Sequence, residues 1–480
     1  MRNALAAAWL AAVMGLSGCM VGPKYTRPAV PTAPADHGQL PAEFKESSGW
    51  KRAQPAEAAL QPDWWRVFGI AELNDLESQV DVSNQTVKAA EARFRQARSL
   101  VAQSRSALYP NVGVAASVTT NRLSGNSANR PQTIREYSNL AAPFDVSYEL
   151  DAWGRIRRSI AAAHEEVQAT AADLETVRLS LHAEVAIDYF ELRSLDAQKQ
   201  LLDRTLVAYQ KALDLTQNQF AGGLASGAEV AQARTQLETT RAQDVEVEVA
   251  RAQFEHALAV LAGRTPESLS LALAPLAGPP PVIPTGVPSQ LLERRPDIAA
   301  AERRMAEANE QIGIAQAAFF PTLLLTATGG LQGDSIVNWF TWPSRFWALG
   351  PTALQTIYDA GRRRAAQETA AAGYDLTVAN YREAALEAFQ QVEDSLSTLR
   401  TLEREVDAQQ VAVQAAERSL ELAMQRYTGG LVTYLEVVSA QSIALNNERV
   451  AVDLLRRRMD ATVLLIKALG GGWDVSKLPT

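Results

Sequence analysis

The feature that most limits the fold of this chain is an internal duplication. FAGGLASGAEV at 220–230 matches YTGGLVTYLEV at 427–437 at an offset of 207 residues, and the pair Gly154-Arg155 falls on Gly361-Arg362 at the same offset. Upstream, ALYPNVGVAAS at 107–117 matches AFFPTLLLTAT at 318–328 at an offset of 211. A sequence repeat predicts a repeated structural unit. Both copies share one order of predicted elements: a helix, two apolar stretches, a long helix, a Gly-Gly turn and a last helix.

Each copy is predicted to contain a long helical hairpin. Residues 155–220 include no glycine or proline, and 362–428 include only Gly373. At 1.5 Å per residue, each long helix would extend about 100 Å. Gly222 and Gly429 are predicted to end these helices, because glycine reaches positive φ without a steric penalty. The predicted helices cover 155–221 and 226–262 in the first copy, and 362–428 and 432–469 in the second.

The first helix of each copy carries mainly apolar residues at steps of three and four, from Val80 to Leu108 and from Leu291 to Phe319. This spacing is typical of coiled-coil packing, and the many small residues allow close approach of helices. We therefore expect one continuous helix in front of the strands of each copy.

Four strands are predicted, near 112–122, 140–151, 322–333 and 346–358. In FDVSYELDAWG at 144–154, apolar and polar residues alternate, which predicts a strand with one apolar face and one acidic face. Pro351 restricts the last strand to an edge or a kink. The aromatic stretch NWFTWPSRFW at 338–347 is typical of a membrane interface. Four strands are too few for an open barrel, so several chains would have to share one barrel in lipid.

The N-terminus has the pattern of a lipoprotein signal. Arg2 and Asn3 precede a short apolar stretch, and Leu16-Ser17-Gly18-Cys19 has the form of a lipobox around the one cysteine of the chain. Residues 1–18 are predicted to be removed, and Cys19 is predicted to carry the lipid. The alternative is an ordinary signal peptide with a free thiol. The predicted organisation continues with an N-terminal strap and equatorial segment at 19–70, the first repeat at 71–262, a proline-rich link at 263–290, the second repeat at 291–470 and a tail at 471–480.

The composition argues against catalysis and against nucleic acid. The net charge is −8, with scattered basic residues, so no nucleic-acid partner is expected. The four histidines have no metal-ligand spacing, and no phosphate-binding loop or nucleophile elbow is present. We predict no enzymatic activity, no catalytic residue, no metal site and no cofactor apart from the covalent lipid on Cys19.

Several motifs together resemble a known family. They are CMVGPKYTRP at 19–28, PDWWRVFG at 62–69, LLERRPDIAAAERRMAEANEQIGIAQAAFFPTL at 291–323 and YTGGLVTYLEVVSAQ at 427–441. They resemble the outer-membrane factors of tripartite efflux systems, in the TolC-like superfamily and its NodT/OprM-like lipoprotein branch. The resemblance implies a mainly α chain with a small β part. It also implies a homotrimer with a 12-stranded outer-membrane β-barrel, four strands per chain, that continues into a 12-helix periplasmic α-barrel.

The resemblance also implies a function. The trimer would be a passive conduit in the cell outer membrane, lipid-anchored and extending into the periplasm. Its partners would be a periplasmic membrane-fusion adaptor and an inner-membrane RND pump, and with them it would export small molecules such as drugs. Metal-ion efflux and type I protein secretion are the alternatives for such a tube, and a purely structural periplasmic coiled coil is the remaining one.

The predicted functional residues follow from the repeat and the resemblance. The tips that would dock the adaptor consist of Gly222, Gly223, Leu224, Ser226, Gly429, Gly430, Leu431 and Thr433. Val432, Thr433 and Tyr434 are candidates for a periplasmic constriction, where some relatives carry aspartates. Asp145, Glu149 and Asp151 are candidates for lumen-facing carboxylates that favour cationic solutes, with solvated structural carboxylates as the alternative.

Overall fold

Two long helical hairpins and one antiparallel sheet form the framework of the chain. The computed structural model describes residues 20–29, 63–122, 124, 136–276, 278–283 and 293–479. The predicted signal peptide at 1–18 and the predicted lipidation site Cys19 lie outside these residues.

The elements follow the order predicted from the duplication. The first copy contains α1 (Ala71–Ser83), α2 (Gln85–Ser106), β1 (Asn111–Val114), β2 (Ser117–Arg122), β3 (Glu136–Leu150), α3 (Arg155–Ala221) and α4 (Gly227–Leu261). The second copy contains α5 (Pro296–Ala317), β4 (Thr322–Gly333), the single turn α6 (Ile336–Trp339), β5 (Arg345–Leu354), α7 (Arg362–Thr428) and α8 (Tyr434–Ala468). Short 3₁₀ helices lie at Trp64–Phe68, Pro266–Ser268, Trp342–Ser344 and Val475–Lys477.

The long helices pack side by side as a wall. In each hairpin the two helices are antiparallel neighbours, α3 with α4 and α7 with α8. Helix α5 packs between α3 and α7, and α2 packs on α3. The wall therefore contains helices from both copies in contact with each other, with the sheet at one end and the Gly-Gly turns at the other.

The first helix of the first copy is not continuous, contrary to our expectation. It breaks at Asn84, whose side-chain oxygen accepts hydrogen bonds from the backbone N–H groups of Thr86 and Val87 and thereby caps α2. The Asn84 amide also donates to the carbonyl of Leu261, 177 residues away, at 2.8 Å. Because the seam contains no glycine or proline at this point, its spacing gave no sign of the break.

Equivalent contacts recur in the second copy, at the offsets found in the sequence. Gly263 and Gly470 both have positive φ. A Cβ added to either glycine would lie no more than 2.4 Å from a backbone oxygen, which belongs to Ser83 for Gly263 and to Arg294 for Gly470. Arg295, at the position of Asn84, donates to the carbonyl of Ala468, as Asn84 does to Leu261. The duplication is therefore present in the packing as well as in the order of elements.

The sheet has the order β1–β3–β4–β5, and β2 also pairs with β3. All pairs are antiparallel. The stretch that we predicted as one strand at 112–122 is two strands, because Pro143 on the opposite strand has no N–H to donate between Val114 and Ser117. Strand β5, with Pro351 in it, pairs with β4 and forms one edge of this sheet.

A belt surrounds the middle of the wall. We define the belt as residues 63–83, 266–276, 278–283 and 470–478, which come from three separate parts of the chain. Its apolar side chains share a large buried cluster with α3, which includes Trp65, Leu73 and Ile283 of the belt and Phe190 of α3. The belt is consistent with the equatorial domain that the resemblance implies.

Candidate functional site

The two hairpin turns have the same backbone geometry. Gly223 and Gly430 adopt φ values of +76° and +71°, and their N–H groups donate to the carbonyls of Phe220 and Tyr427, each at 2.9 Å. The N–H groups of the next residues, both leucines, return to the last turn of α3 and α7. The second glycine of each pair, and not the first as we expected, therefore provides the left-handed conformation.

Each turn presents one leucine to solvent. Leu224 is 84% exposed and Leu431 is 75% exposed. After the first turn, Ser226 and Glu229 form a capping box at the start of α4. Thr433, at the corresponding position before α8, makes no side-chain cap. The predicted tip residues thus lie together as two exposed apolar turns at one end of the molecule.

The two tips are joined by a small aromatic cluster. Tyr434 is completely buried, and its ring packs edge-on against Tyr427 with ring centroids 5.2 Å apart. The Tyr427 hydroxyl donates to Thr216 Oγ1 at 3.2 Å, which links α7 to α3. Tyr434 therefore lies inside the protomer, because the first turn of α8 directs this side chain towards α7, and its place in a constriction stays a prediction. Val432 is half-buried beside the cluster, and Thr433 is exposed.

The tips also share a hydrogen bond across the two copies. The Glu229 carboxylate accepts from the backbone N–H of Ser226 at 2.7 Å and from the backbone N–H of Tyr434 at 3.2 Å. One side chain of the first hairpin thus caps the second helix of both hairpins. These two hydrogen bonds lower the pKa of Glu229, so that the carboxylate stays ionised.

At the opposite end, the register of the sheet gives it one apolar face. Val114, Phe144, Gly329 and Trp347 lie opposite one another across β1, β3, β4 and β5. The parallel row two residues away consists of Val112, Val146, Ala327 and Leu349. In these rows Val112, Val114, Trp347 and Leu349 are more than half exposed, and Val146 is half-buried. An apolar surface of this extent marks a site of contact with lipid or protein.

The other face of the sheet is polar but largely neutralised. Asp145 accepts a hydrogen bond from Thr328 Oγ1 at 2.6 Å across the ladder. Glu149 forms an ion pair with Arg155 at 2.7 Å. The three predicted carboxylates therefore lie on strand β3 or directly after it, but at least Glu149 is already paired with a cation.

Asp151 has a structural function at the start of α3. Its carboxylate accepts the backbone N–H groups of Ile156 and Arg157, both at 2.9 Å, and also pairs with the Arg157 guanidinium. A carboxylate at a helix N-terminus satisfies donors that have no partner within the helix. The arrangement of Asp151 favours the alternative that we considered, a structural carboxylate.

A charged network on α3 and α4, which the sequence did not reveal, binds the belt. Asp196 on α3 has no exposed side-chain surface and accepts hydrogen bonds from Arg193 and Arg251, each at 2.7 Å. These arginines also donate to the carbonyls of Ala272 and Leu271, each at 2.6 Å. The network thereby holds the loop of the belt against two helices. Arg193 and Asp196 are three residues apart on α3, but Arg251 and the two carbonyls lie at distant positions of the chain, so the sequence gave no sign of the whole network.

A second buried cluster connects α1 to α3. His182 Nδ1 lies 2.7 Å from Glu77 Oε2 and His182 Nε2 lies 3.5 Å from Asp81, while Trp65 stacks on the imidazole at 4.3 Å. Burial lowers the pKa of His182, but the hydrogen bonds to Asp81 and Glu77 outweigh burial and raise it to about 9. The imidazole is therefore charged at neutral pH and stabilises the contact of α1 with α3.

In the described part of the chain, no three His, Cys, Asp or Glu side chains come together as metal ligands would. Among the helices described, none has both the length and the apolar character that a membrane span requires.

Comparison with known proteins gives one family. Residues 76–264 and 287–471 match the family model described as Outer membrane efflux protein. The two matched segments correspond to the two copies of the duplication, and the proline-rich link lies between them.

Relatives and solved structures agree with this match. The chain is 33% identical over 467 residues, 97% of its length and 96% of the relative's, to the toluene efflux pump outer membrane protein TtgF of Pseudomonas putida. It is 30% identical over 466 residues, 96% of its length and 97% of the relative's, to the cation efflux system protein CusC of Escherichia coli. The crystal structure of the outer membrane protein VceC of Vibrio cholerae superimposes with a TM-score of 0.79 at 29% identity, covering 86% of this chain and all of that one.

Proposed function

The chain belongs to the outer membrane efflux protein family, and from this membership we propose that it forms the outer-membrane channel of a tripartite efflux system. Relatives over nearly the full length are outer membrane components of efflux pumps, so the chain is an outer-membrane efflux component with the TolC-like fold. The observation that carries the proposal is the polarity of the molecule. An apolar sheet face lies at one end of helices about 100 Å long, and two exposed apolar turns lie at the other.

The functional unit is a homotrimer in this proposal. Within the residues described, β5 pairs with one strand only and so leaves a sheet edge open, and an open edge cannot be satisfied in hydrocarbon. Three copies with four strand regions each close a 12-stranded β-barrel and continue it as a 12-helix tube. Chemical crosslinking of the purified protein in detergent should give a trimer as the largest product; a monomer as the only product contradicts this assembly.

The lipid on Cys19 is a second membrane anchor in this proposal. The lipobox before Cys19 motivates it. Cells grown with radiolabelled palmitate should give a labelled wild-type protein, and the Cys19→Ser variant should remain unlabelled. If the wild-type protein stays unlabelled, Cys19 carries no lipid, and the strands alone are the membrane anchor.

The tips dock a periplasmic adaptor in this proposal. Leu224 and Leu431 are large, exposed apolar side chains of the two turns, and the leucine side chains are not needed for the backbone hydrogen bonds that shape the turns. The variant Leu224→Trp/Leu431→Trp should therefore lose crosslinking to the adaptor while its trimers persist. Val207→Trp, at a valine that is 57% exposed on the side of α3, serves as the matched control. Normal adaptor crosslinking of the double variant would contradict docking at the tips.

The transported substrate is set by the pump, because the chain has the family and fold of passive channels. We propose export of small organic molecules, since TtgF is named for toluene efflux. The similarity to CusC favours cation efflux as the second candidate. Mild crosslinking in cells followed by identification of the attached inner-membrane protein decides the class of system: an RND pump supports efflux, whereas an ABC exporter supports protein secretion. Sensitivity of a deletion strain to toluene or to metal cations then separates the two efflux candidates.

A further inference from the structure

The first residues that the structure describes lie across both copies of the repeat. We call residues 20–27 the anchor segment, because they follow Cys19 directly. At its start, the Val21 N–H donates to the carbonyl of Trp153 at 3.2 Å, where β3 passes into α3. At its end, Arg27 Nε donates to the hydroxyl of Tyr381 on α7 at 3.1 Å. The anchor segment is thus attached to helices of the first and of the second copy.

A buried guanidinium holds the middle of the anchor segment. The side chain of Arg158, on α3, is 3% exposed. Its Nε donates to the carbonyl of Val21 at 2.6 Å and its Nη2 to the carbonyl of Pro23 at 3.3 Å. Its Nη1 forms an ion pair with Glu310 on α5 at 2.8 Å. Two of the three acceptors of this buried cation therefore belong to the anchor segment, and both would be lost if the segment left the wall.

Two glycines make room for this arrangement. A Cβ on Gly313 of α5 would lie 2.3 Å from Cδ of Arg158, so the guanidinium fits only over a glycine. Gly22 has a φ of +116°, and a Cβ on it would lie 2.7 Å from the Cα of Gly313. Backbone atoms of the anchor segment and of α5 thus meet directly, with Arg158 beside them.

The duplication provides an internal comparison for these residues. At the offset of 207, Arg158 corresponds to Ala365, and at the offset of 211, Gly313 corresponds to Ala102. The two copies therefore differ at both positions, and the first copy's arginine faces the second copy's glycine where the anchor segment lies. If helix packing were the only requirement, alanine would serve at both positions, as Ala365 and Ala102 do at the equivalent positions.

We propose that Arg158 and Gly313 form a docking site for the backbone of the anchor segment. The site fixes Val21, two residues after Cys19, beside Trp153, at the level where the strands pass into the helices. With the lipid in place, the acyl chains begin at this level, so that the membrane surface and the strand–helix junction keep one position relative to each other. This consequence rests on the proposed lipidation of Cys19, whereas the docking itself rests on the contacts of Arg158, Gly22 and Gly313.

Limited proteolysis of the full-length protein in detergent tests the site. Trypsin cleaves after Lys24, which is exposed, and does not cleave the Arg27–Pro28 bond. Cleavage requires the anchor segment to leave the wall, and its rate follows the population of that open state. We expect Gly22→Ala to release the fragment 19–24 at least about tenfold faster than the wild type. The matched control is Gly69→Ala, because Gly69 also has positive φ but an added Cβ meets no atom within 4 Å.

Variants of the wall complete the test. Arg158→Lys keeps a positive charge but cannot reach two carbonyls and a carboxylate as a planar fork does, so it should also accelerate release. Gly22→Ala changes no residue of the helical wall, so it still tests the docking site if Arg158 variants fail to assemble. Wild-type release rates in Gly22→Ala overturn the docking site. The mass of the fragment tests lipidation separately: an acylated 19–24 supports it, and an unprocessed fragment that begins before Cys19 refutes it without affecting the docking site.

Discussion

The belt and the tips of this molecule are built from different interactions. Where the belt packs on α3, the side chain of Asp196 is completely buried and accepts hydrogen bonds from two arginines and from the backbone N–H of Ala274 in the belt. At the tips, a cluster of tyrosines and one half-buried carboxylate join the two hairpins. The belt combines three distant parts of the chain, whereas the tips connect only the ends of the two hairpins.

The belt and the tips are expected to differ in how much stability they lose when one contact is removed. Removal of one partner from a buried charged network leaves the others buried without compensation, which is strongly destabilising. Loss of a contact at an exposed turn lets water take its place at little cost. We therefore expect the belt to hold the helices in a fixed arrangement and the tips to open locally at a lower free-energy cost.

The largest effect is expected from Asp196→Ala, which removes the acceptor shared by Arg193 and Arg251. Both guanidiniums would remain buried without this carboxylate, and we expect the free energy of unfolding to fall by about 3–5 kcal/mol. Guanidinium chloride unfolding followed by tryptophan fluorescence measures it, because Trp64, Trp65 and Trp473 lie in or beside the belt. Asp203→Ala is the control, since Asp203 is exposed and pairs with Lys199 on the same helix. Equal losses of unfolding free energy in the two variants would contradict the conclusion that the buried network at the belt stabilises the protein more than an exposed ion pair does.

A second effect, of about 3 kcal/mol at most, is expected from pH through His182. Its pKa is raised to about 9 in the folded protein, so its stabilising contribution is complete below the ordinary pKa of about 6.5 and disappears as pH rises through about 9. Burial also raises the pKa of Glu77, to about 7. Between pH 7.5 and 9.5 the loss therefore comes mainly from His182.

The variant His182→Asn should flatten this pH dependence. Asparagine can keep a hydrogen bond to Glu77 but cannot gain a proton. Unfolding midpoints of wild type and variant, measured in the same detergent from pH 7.5 to 9.5, give the two slopes. If both slopes agree, His182 does not carry a charge that stabilises the belt.

The sequence predicted the tips and the hairpins better than the belt. The helices Arg155–Ala221 and Arg362–Thr428 follow from long stretches without proline and nearly without glycine, and the turns follow from the Gly-Gly pairs. These features are local, because backbone conformation decides them. The same reasoning selected the wrong glycine for positive φ, since both glycines of a pair satisfy the pattern and only the hydrogen bonds of the last turn distinguish them.

The belt depends on contacts between residues far apart in sequence. Asn84 ends a helix because its amide reaches Leu261, and Arg193 is fixed by Ala272 and Asp196. The same limit applies to Tyr434, because the sequence did not reveal that its ring packs on Tyr427 inside the protomer. The docking site of the anchor segment was missed for this reason too, although the departure of Arg158 and Gly313 from the repeat was present in the sequence.

A smaller effect is expected at the tips from Tyr427→Phe. The variant removes the hydrogen bond to Thr216 and keeps the ring contact with Tyr434, so local stability should fall by about 1 kcal/mol. Hydrogen exchange of peptides from 424–440 should become faster, while peptides from the belt stay unchanged. Tyr358→Phe, at an exposed tyrosine near the strands, controls for loss of a hydroxyl. Faster exchange in the belt as well would show that the tips and the belt open together.

The smallest effect, about 0.5–1 kcal/mol, is expected from Glu229→Gln, which weakens the cap shared by α4 and α8. The duplication provides its control: Glu436, at the offset of 207, pairs instead with Arg426 in its own hairpin. Glu436→Gln should therefore leave the contact between hairpins intact.

Because the folded pKa of Glu229 is lowered, its contribution is present above its ordinary pKa of about 4.5 and is lost as pH falls further. Acid should thus loosen the tips and alkali the belt. Hydrogen exchange corrected for its intrinsic pH dependence measures both, and tips that tighten in acid would refute the role given to Glu229.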